Sequence, residues 1–516
     1  MAKTIVIDPV TRIEGHLKIE VVVDGGEVKE ARSSGTLFRG FEIFLQGRDP
    51  RDAARMTQRV CGVCPTSHAT ASALALDAAF AVAGKVPHNG RILRDLILGA
   101  NFLQSHILHF YALAALDYVD VAALGEVGPD EPELRQVKEF LSRGVLGPFV
   151  PRYEGVYRLP AEANRRAILH YARSLKARRL AHEMGAVFGG RMPLQVATTV
   201  GGVFTVPDEA KIAAFIARLD EVRDFIDNCY LPDILAVAGA YPDHLEMGRG
   251  VGNYVAYGAF RMDEGLEPRF LTRGVLTAGN VRPLEPEKIT EHVKHSWFSD
   301  ACAGHPSTGR TEPEPEKEGA YSWLKSPRYD GVAHEVGPLA RMLVGYHNGT
   351  PHIKEAVDGL CRQAGIEPAR LGGVLGRHAA RALETKLVAD AMREWVLELV
   401  PGEPAAVEAP VPREGAGVGL TEAPRGALGH WLQVEDYKIA RYQLVVPTTW
   451  NASPRDAEGN PGPIETALQG ARIADEENPV ELVRVVRSFD PCLACAVHVL
   501  RWGRRGPRPA RVLRVC

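Results

Sequence analysis

The chain has 516 residues, 45% of them hydrophobic and 24% charged, with a formal net charge of −3. That length and apolar content allow a large buried core, and length alone suggests about three domains as a prior. The near-neutral balance gives no sign of the basic surface that a nucleic-acid partner requires, and Met1-Ala2-Lys3-Thr4-Ile5-Val6-Ile7-Asp8 lacks the apolar stretch of a signal peptide, so no export signal is expected on this chain.

Residues 3–8, 16–23 and 27–32 read as strands, the second turning into the third at Asp24-Gly25-Gly26, and predict a small sheet over about 1–35. Pro50 and Arg51 open a short helix running to Arg59. Pro65 suits a first helical turn, and Ala69 to Ala83 are almost all helix formers, which sets Cys64 at a helix N-terminus where the dipole favours thiolate. From Asn89 to Leu116 apolar residues recur in steps of three and four, at Ile92, Leu96, Ala100, Leu103, Ile107, Phe110 and Ala114. Such a helix is roughly 40 Å long. Its part Leu96–Leu116 has no Asp, Glu, Lys or Arg and is long enough to span a bilayer, yet Asn101, Gln104, Ser105, His106 and His109 would be expensive in lipid, so the helix is expected to be buried in protein. His106 and His109 themselves read as hydrogen-bonded core histidines.

Further helices are predicted at 161–187, 208–227, 285–294, 335–346, 351–364 and 376–400, and a strand at 250–262. Two Pro-rich, charged stretches, 304–319 and 401–417, have linker composition and read as surface excursions spanning about 300–335 and 401–420. The expected fold class is mainly α with a small N-terminal β-sheet (α+β), a large helical bundle.

Four of the eight cysteines form two tight pairs, Cys61-Gly62-Val63-Cys64 and Cys492-Leu493-Ala494-Cys495, each followed by a histidine, His68 and His498. Two residues between thiols let one turn present both sulfurs to a single ion, and four thiolates suit a soft or borderline metal. Structural zinc normally keeps its two pairs about fifteen to twenty residues apart in one small module. Here more than four hundred residues intervene, which favours a site at the heart of one large domain over residues 1–498. Disulfides are the other reading, but Cys229, Cys302, Cys361 and Cys516 are scattered and make a poor framework. The tail after His498 is basic, with Arg501, Arg504, Arg505, Arg508, Arg511 and Arg514.

At these two stretches the chain closely resembles the large subunit of [NiFe] hydrogenases. The paired motifs Arg-x-Cys-Gly-x-Cys-x-x-x-His and Asp-Pro-Cys-x-x-Cys-x-x-His are both complete, at Arg59–His68 and Asp490–His498. Other similar stretches run along the chain: Arg12-Ile13-Glu14-Gly15-His16, Phe38-Arg39-Gly40-Phe41-Glu42, His295-Ser296-Trp297, Ala423-Pro424-Arg425-Gly426-Ala427 and Val446-Pro447-Thr448-Thr449-Trp450-Asn451. Lys325-Ser326-Pro327-Arg328-Tyr329 is most similar to the uptake, membrane-associated group.

The resemblance implies a nickel–iron centre, Ni-Fe(CN)2(CO), with Cys61 and Cys492 as terminal nickel ligands and Cys64 and Cys495 as bridges to iron. It implies heterolytic cleavage of H2, with Cys492 as candidate base and Glu14 as proton relay. Arg425 would stand over the open metal position, steadied by Asp490. Pro424, Pro447 and Thr448 would contact the centre, Thr448 through a cyanide, and His68 would bond a bridging sulfur. Glu42, the Leu444 carbonyl and His498 would form a Mg2+-type site of hard ligands. The 18 residues Val499–Cys516 would be a C-terminal extension removed after nickel insertion.

The resemblance also implies an iron–sulfur small subunit, since no cysteine set remains here for a cluster. A maturation endopeptidase, nickel and iron insertion factors, and a membrane cytochrome reached through the small subunit complete the implied partners. Membrane association or a periplasmic location would come from co-export with the small subunit, a cytoplasmic one being the other option. Departures exist: Ser105 stands where many members have Asp, Ala112 and Leu194 where His is common. The alternative reading is a related non-catalytic or quinone-module subunit of the same fold, a group marked by loss of the nickel cysteines.

Overall fold

The structure, a computed structural model, describes residues 2–126, 131–144, 149, 152–153, 155–261 and 269–496. The expected N-terminal sheet is present as β1 (Lys3–Ile7), β2 (Leu17–Asp24) and β3 (Glu27–Gly35), antiparallel throughout. In β2 every second side chain is buried, the alternation of a sheet with one covered face. Two 3₁₀ turns and a short helix, Ala53–Thr57, lead to Cys61, and α1 (Pro65–Ala79) starts with Pro65 at its first turn and Cys64 at its N-cap.

The helical core is built on α2 (His88–Leu108), α3 (Ala161–Gly189), α4 (Glu209–Phe225), α5 (Pro338–His347) and α6 (Val374–Trp395). Leu93, Leu96, Leu103, Ile107, Ala181, Met184, Val388 and Met392 are all fully enclosed there. The long helix predicted to reach Leu116 changes character after Leu108: His109–Ala114 is π-helical and Ala115–Asp117 is 3₁₀. Both histidines are tied in the core: His106 Nε2 lies 2.9 Å from Glu384 Oε1, and His109 Nε2 2.7 Å from the Arg487 carbonyl. No described helix is long and apolar enough to cross a membrane.

Two expectations are corrected. The helix at 285–294 is a 3₁₀ turn, Pro286–Lys288, followed by strand Ile289–His292, which pairs antiparallel with Ser326–Tyr329. The local charged composition favours a helix, but the partner strand and the β-branched Ile289 and Thr290 decide otherwise. The strand at 250–262 is two, Tyr254–Ala256 and Ala259–Arg261, broken at Tyr257–Gly258, where Gly258 takes positive φ. The stretch 401–417, expected as a surface excursion, is tied to the helical core. Ala405 accepts from Val203 N at 2.9 Å, and at Gly415 the chain enters β4 (Gly415–Ala423).

β4 pairs antiparallel with β5 (Gly426–Glu435), and β5 with β6 (Lys438–Val445). This second sheet, not anticipated, is buried on both faces over most of β5. It lies directly on α1. A Cβ added at Gly415, Gly417 or Gly419 would come within 2.4, 1.9 and 1.9 Å of the carbonyl oxygens of Ala79, Ala75 and Ala71. Four helical residues rise about 6 Å and two strand residues about 6.8 Å, so glycine and alanine stay in step along the contact. After β6 come a short helix Pro447–Asn451, then α7 (Val480–Ser488) and a last turn, α8 (Leu493–Ala496). The excursion 304–319 folds back as well, Thr311 donating to Glu42.

Candidate metal centre

The two cysteine pairs meet. Sγ of Cys61 lies 3.2 Å from Sγ of Cys492, and the sulfurs of Cys61, Cys64 and Cys492 all lie within 4.8 Å of one another, wholly buried. Among the described residues this is the sole group of three or more metal-ligating side chains that converge in this way. Local geometry prepares it: the N–H groups of Val63 and Cys64 point back at Cys61 Sγ, at 3.2 and 3.4 Å, the donor pattern that favours a thiolate. Cys495 is on α8, its side chain outside the described residues, and His498 lies outside them too. Three soft sulfur donors, with a fourth cysteine one turn along the same segment as Cys492, fit a nickel–iron centre.

The N-terminal loop closes over the C-terminal motif by backbone pairing. Leu493 N donates to the Glu14 carbonyl at 2.7 Å, and Glu14 N to the Pro491 carbonyl at 3.3 Å. Glycine follows for a steric reason, since Gly15 has φ +83° and a Cβ there would sit 2.7 Å from Ala494 N. Glu14 is thereby aimed at the sulfurs. Its Oε2 accepts from the Cys492 thiol at 3.2 Å and from Ala494 N at 2.9 Å. Burial, and then the charge of Cys61, raise its pKa above the ordinary carboxylate value, against the lowering effect of the Cys492 and Ala494 hydrogen bonds and of Arg425.

Arg425 is fully buried between β4 and β5. Its Nη2 lies 3.0 Å from Asp490 Oδ1 and its Nη1 donates to Ser105 Oγ at 3.3 Å. The Asp490 contact is close but badly aligned: Arg425 Nε and Nη2 and both Asp490 oxygens lack a hydrogen-bond partner among the described residues. Buried groups of this kind are ordinarily satisfied, and donors left over beside three thiols fit a centre bearing acceptor ligands. Desolvation opposes charge on Arg425, but Asp490, Cys492, Cys64 and Cys61 outweigh it and hold the guanidinium firmly protonated. Asp490 itself sits at φ 54°, a conformation that Asp tolerates better than most residues.

The remaining expected residues fall around this core. Thr448 Oγ1 accepts from Cys492 N at 2.9 Å, fixing the backbone of the motif, and Pro447 is the first residue of the helix that carries Thr448. The Pro424 carbonyl accepts from Arg341. His68 is buried with Nδ1 3.2 Å from His430 Nε2, and His430 Nδ1 is 2.8 Å from the Tyr442 hydroxyl. Desolvation lowers the His68 pKa to about 4, so the ring is neutral. Glu42 Oε1 accepts from Leu444 N at 2.8 Å, which brings the carboxylate beside the Leu444 backbone.

Sequence reasoning left out two residues that hold the halves together. Arg39 donates to the carbonyls of Val60 and Ala494, one on each motif. Arg487 donates to the Thr11 carbonyl at 3.0 Å and to Asp117 at 2.7 Å, anchoring the loop that carries Glu14. Arg39 stands inside a quoted stretch, Phe38–Glu42, yet nothing in its residue type separates it from a surface arginine.

The family model described as nickel-dependent hydrogenase matches residues 39–498, and one described as HoxL-like matches residues 4–34. The periplasmic [NiFeSe] hydrogenase large subunit of Desulfomicrobium baculatum is 45% identical, covering 96% of this chain and 94% of that protein. The uptake hydrogenase large subunit of Bradyrhizobium diazoefficiens is 38% identical over 96% of this chain and 95% of its own. Among solved structures, the as-isolated oxidized Ni-Fe-Se hydrogenase from D. vulgaris Hildenborough superposes with a TM-score of 0.87 at 44% identity, over 96% of this chain and 100% of that one. With this match over nearly its whole length, the chain belongs to the nickel-dependent hydrogenase family.

Proposed function

We propose that H2 is cleaved at a nickel–iron centre held by Cys61, Cys64, Cys492 and Cys495. The chain is an oxidoreductase acting on hydrogen, interconverting H2 with two protons and two electrons. The observation that carries the reading is the meeting of Cys61 Sγ and Cys492 Sγ at 3.2 Å with Glu14 Oε2 3.2 Å from the latter. When bound, a nickel–iron centre with cyanide and carbonyl ligands would supply a soft, redox-active cation able to polarise H2 and accept electrons.

The side chains then divide the work. Cys492 accepts the proton, and its hydrogen bond to Glu14 passes that proton on. The raised pKa of Glu14 brings the carboxylate closer to a thiol in proton affinity, which eases the transfer in both directions. Arg425 holds a fixed positive charge against the pocket, with N–H groups available to acceptor ligands. Thr448 and His68 orient the segment and the sulfurs, and Pro424 and Pro447 shape the wall. Glu42, the Leu444 carbonyl and His498 would hold a divalent cation of magnesium type behind the C-terminal motif.

Electrons require a second protein. Cys229, Cys302 and Cys361 are buried singly, and a cluster needs about four ligands. An iron–sulfur small subunit is the proposed acceptor, with export and any route to a membrane cytochrome depending on it. Val499–Cys516 would be removed by a maturation endopeptidase, so the intact mass of the active large subunit should end at His498; a full-length active chain would overturn that step.

The decisive test is H2-dependent dye reduction by the purified complex, with Cys492→Ala as control. Loss of activity, with nickel and iron at one to one in the parent, is expected. Equimolar zinc in the parent, or retained activity in Cys492→Ala, would refute the assignment.

A further inference from the structure

Behind Arg425 lies a second buried arginine that the reaction scheme does not use. Arg341, on α5, has no solvent exposure. All five of its N–H donors are satisfied within the protein. Nε and Nη2 grip the two oxygens of Glu384 at 2.6 Å each, and Nη1 reaches Glu422 Oε2 at 2.6 Å. The remaining two bonds go to backbone, from Nη1 to the Ala423 carbonyl at 3.1 Å and from Nη2 to the Pro424 carbonyl at 2.9 Å. Those carbonyls belong to the two residues immediately before Arg425.

The carboxylates are themselves held. Glu384 Oε1 is 2.9 Å from His106 Nε2, and Glu422 Oε1 accepts from Tyr257 N at 2.5 Å. The guanidinium is thus fixed by Glu384 of α6 and Glu422 of β4, themselves held by His106 of α2 and the Tyr257 backbone, before it touches the Ala423–Pro424 segment. A guanidinium with every donor used has one orientation, and a planar fork cannot be replaced by a point charge without losing bonds. A buried ion-pair network of this kind is weak evidence for a contribution to stability.

We propose that Arg341 is a positioning residue for catalysis, clamping the Ala423 and Pro424 carbonyls so that Arg425 is held over the metal centre. The inference rests on the reading of Arg425 given above. It predicts that Arg341 acts on the reaction only through Arg425. A shift of about 1 Å in a reacting or polarising group can cost about 100-fold in rate, so even partial release of the segment is measurable.

The test uses the purified heterodimer carrying Arg341→Lys, Arg425→Lys, and both. Metal content is counted, and H2-dependent dye reduction gives kcat and KM. Arg425→Lys should lower kcat about 100-fold, in the range for losing one preorganised electrostatic group, and Arg341→Lys about 10-fold with KM for H2 little changed. The double variant should be no slower than Arg425→Lys alone, because a residue acting through another adds nothing once that one is gone. Hydrogen exchange supplies a readout independent of turnover: Arg341→Lys should speed exchange at 423–427 while the rest of α5 and α6 keeps its protection.

Multiplying losses in the double variant, or full kcat in Arg341→Lys, overturns the clamp. Exchange raised throughout α5 and α6 does the same, since it marks a general packing role. Full activity in Arg425→Lys would instead remove the reading of Arg425. Should Arg341→Lys fail to accumulate, Glu384→Gln keeps the side-chain shape and one acceptor oxygen. It is expected to lower kcat several-fold, again with no further loss in combination with Arg425→Lys, and full activity there counts against the proposal.

Discussion

Glu14 and Cys492 share a hydrogen bond of 3.2 Å across a sequence separation of 478 residues. If that contact carries the proton, Glu14→Gln should keep the nickel and iron but lower H2-dependent dye reduction by about 100-fold or more, the usual range for losing a general acid or base. Unchanged turnover with full metal content would show that the proton leaves by another path. Gly15→Ala should act on the same contact from the backbone side. With φ at +83° and Ala494 N only 2.7 Å from the added carbon, the loop must move, and Glu14 with it. Metal-loaded enzyme with tenfold lower activity is the expected result; wild-type turnover would mean that the pairing at residue 14 does not set the geometry. At this scale the cysteines were legible because their spacing is itself a ligand pattern. Glu14, Arg425 and Asp490 were legible through the motifs around them, since a lone glutamate or arginine says nothing of where it ends up. Arg39, Arg341 and Arg487 were not legible, because an arginine in a sequence reads as surface and these are tied down by partners 455, 83 and 476 residues away.

Elements carry the same lesson in another form. The long helices could be placed from periodicity, but the sheet β4–β5–β6 was passed over, and its burial explains why. Strand β5 is enclosed on both faces, so the alternation that marks a half-exposed strand is missing. Glycines at 415, 417 and 419 also looked like a loop, whereas they are the surface on which α1 lies. That contact matters to the centre because Cys64 caps α1 at the end nearest the metal. Gly417→Ala would set a methyl group 1.9 Å from the Ala75 carbonyl, with backbone on both sides and no side chain to give way. Overpacking in a fitted interior costs about 1–3 kcal/mol, occasionally more. The variant should therefore have a lower melting temperature and a reduced nickel content after purification. A normal melting temperature would show that helix and sheet can separate without loss. The misassigned helix at 285–294 failed for the opposite reason, its charged residues carrying helix propensity that a strand partner at Ser326–Tyr329 overrides.

Across the whole molecule, Glu465 joins three distant parts. Its Oε1 accepts from Ser33 N at 2.9 Å on β3 and from the Tyr321 hydroxyl at 2.8 Å, while Oε2 is buried without a hydrogen-bond partner. Burial raises its pKa from 4.5 to about 7, outweighing the hydrogen bonds from Ser33 and Tyr321 and the charge of Arg455. The folded state therefore holds a proton that the unfolded chain releases, and this contribution is complete below pH 4.5 and lost as pH rises through about 7. At about 1.4 kcal/mol per pKa unit the whole change is about 3 kcal/mol. Unfolding free energies from urea titrations at pH 5 and pH 8 should differ in that direction, and Glu465→Gln should flatten the difference. Equal pH dependence in variant and parent would assign it to other groups.

The backbone rungs between Glu14 and the Pro491–Leu493 segment also fix when the active centre can exist. Entropy is not the obstacle, because each doubling of a loop adds only about 0.6 kcal/mol to its closure. Time is. At about 5–20 residues per second, translation separates residue 14 from residue 492 by roughly half a minute to a minute and a half. Throughout that interval the first cysteine pair waits with its partner sulfurs unmade. The pairing of Glu14 with Cys492 and Ala494, 478 and 480 residues apart, can therefore close only once nearly the whole chain has been made.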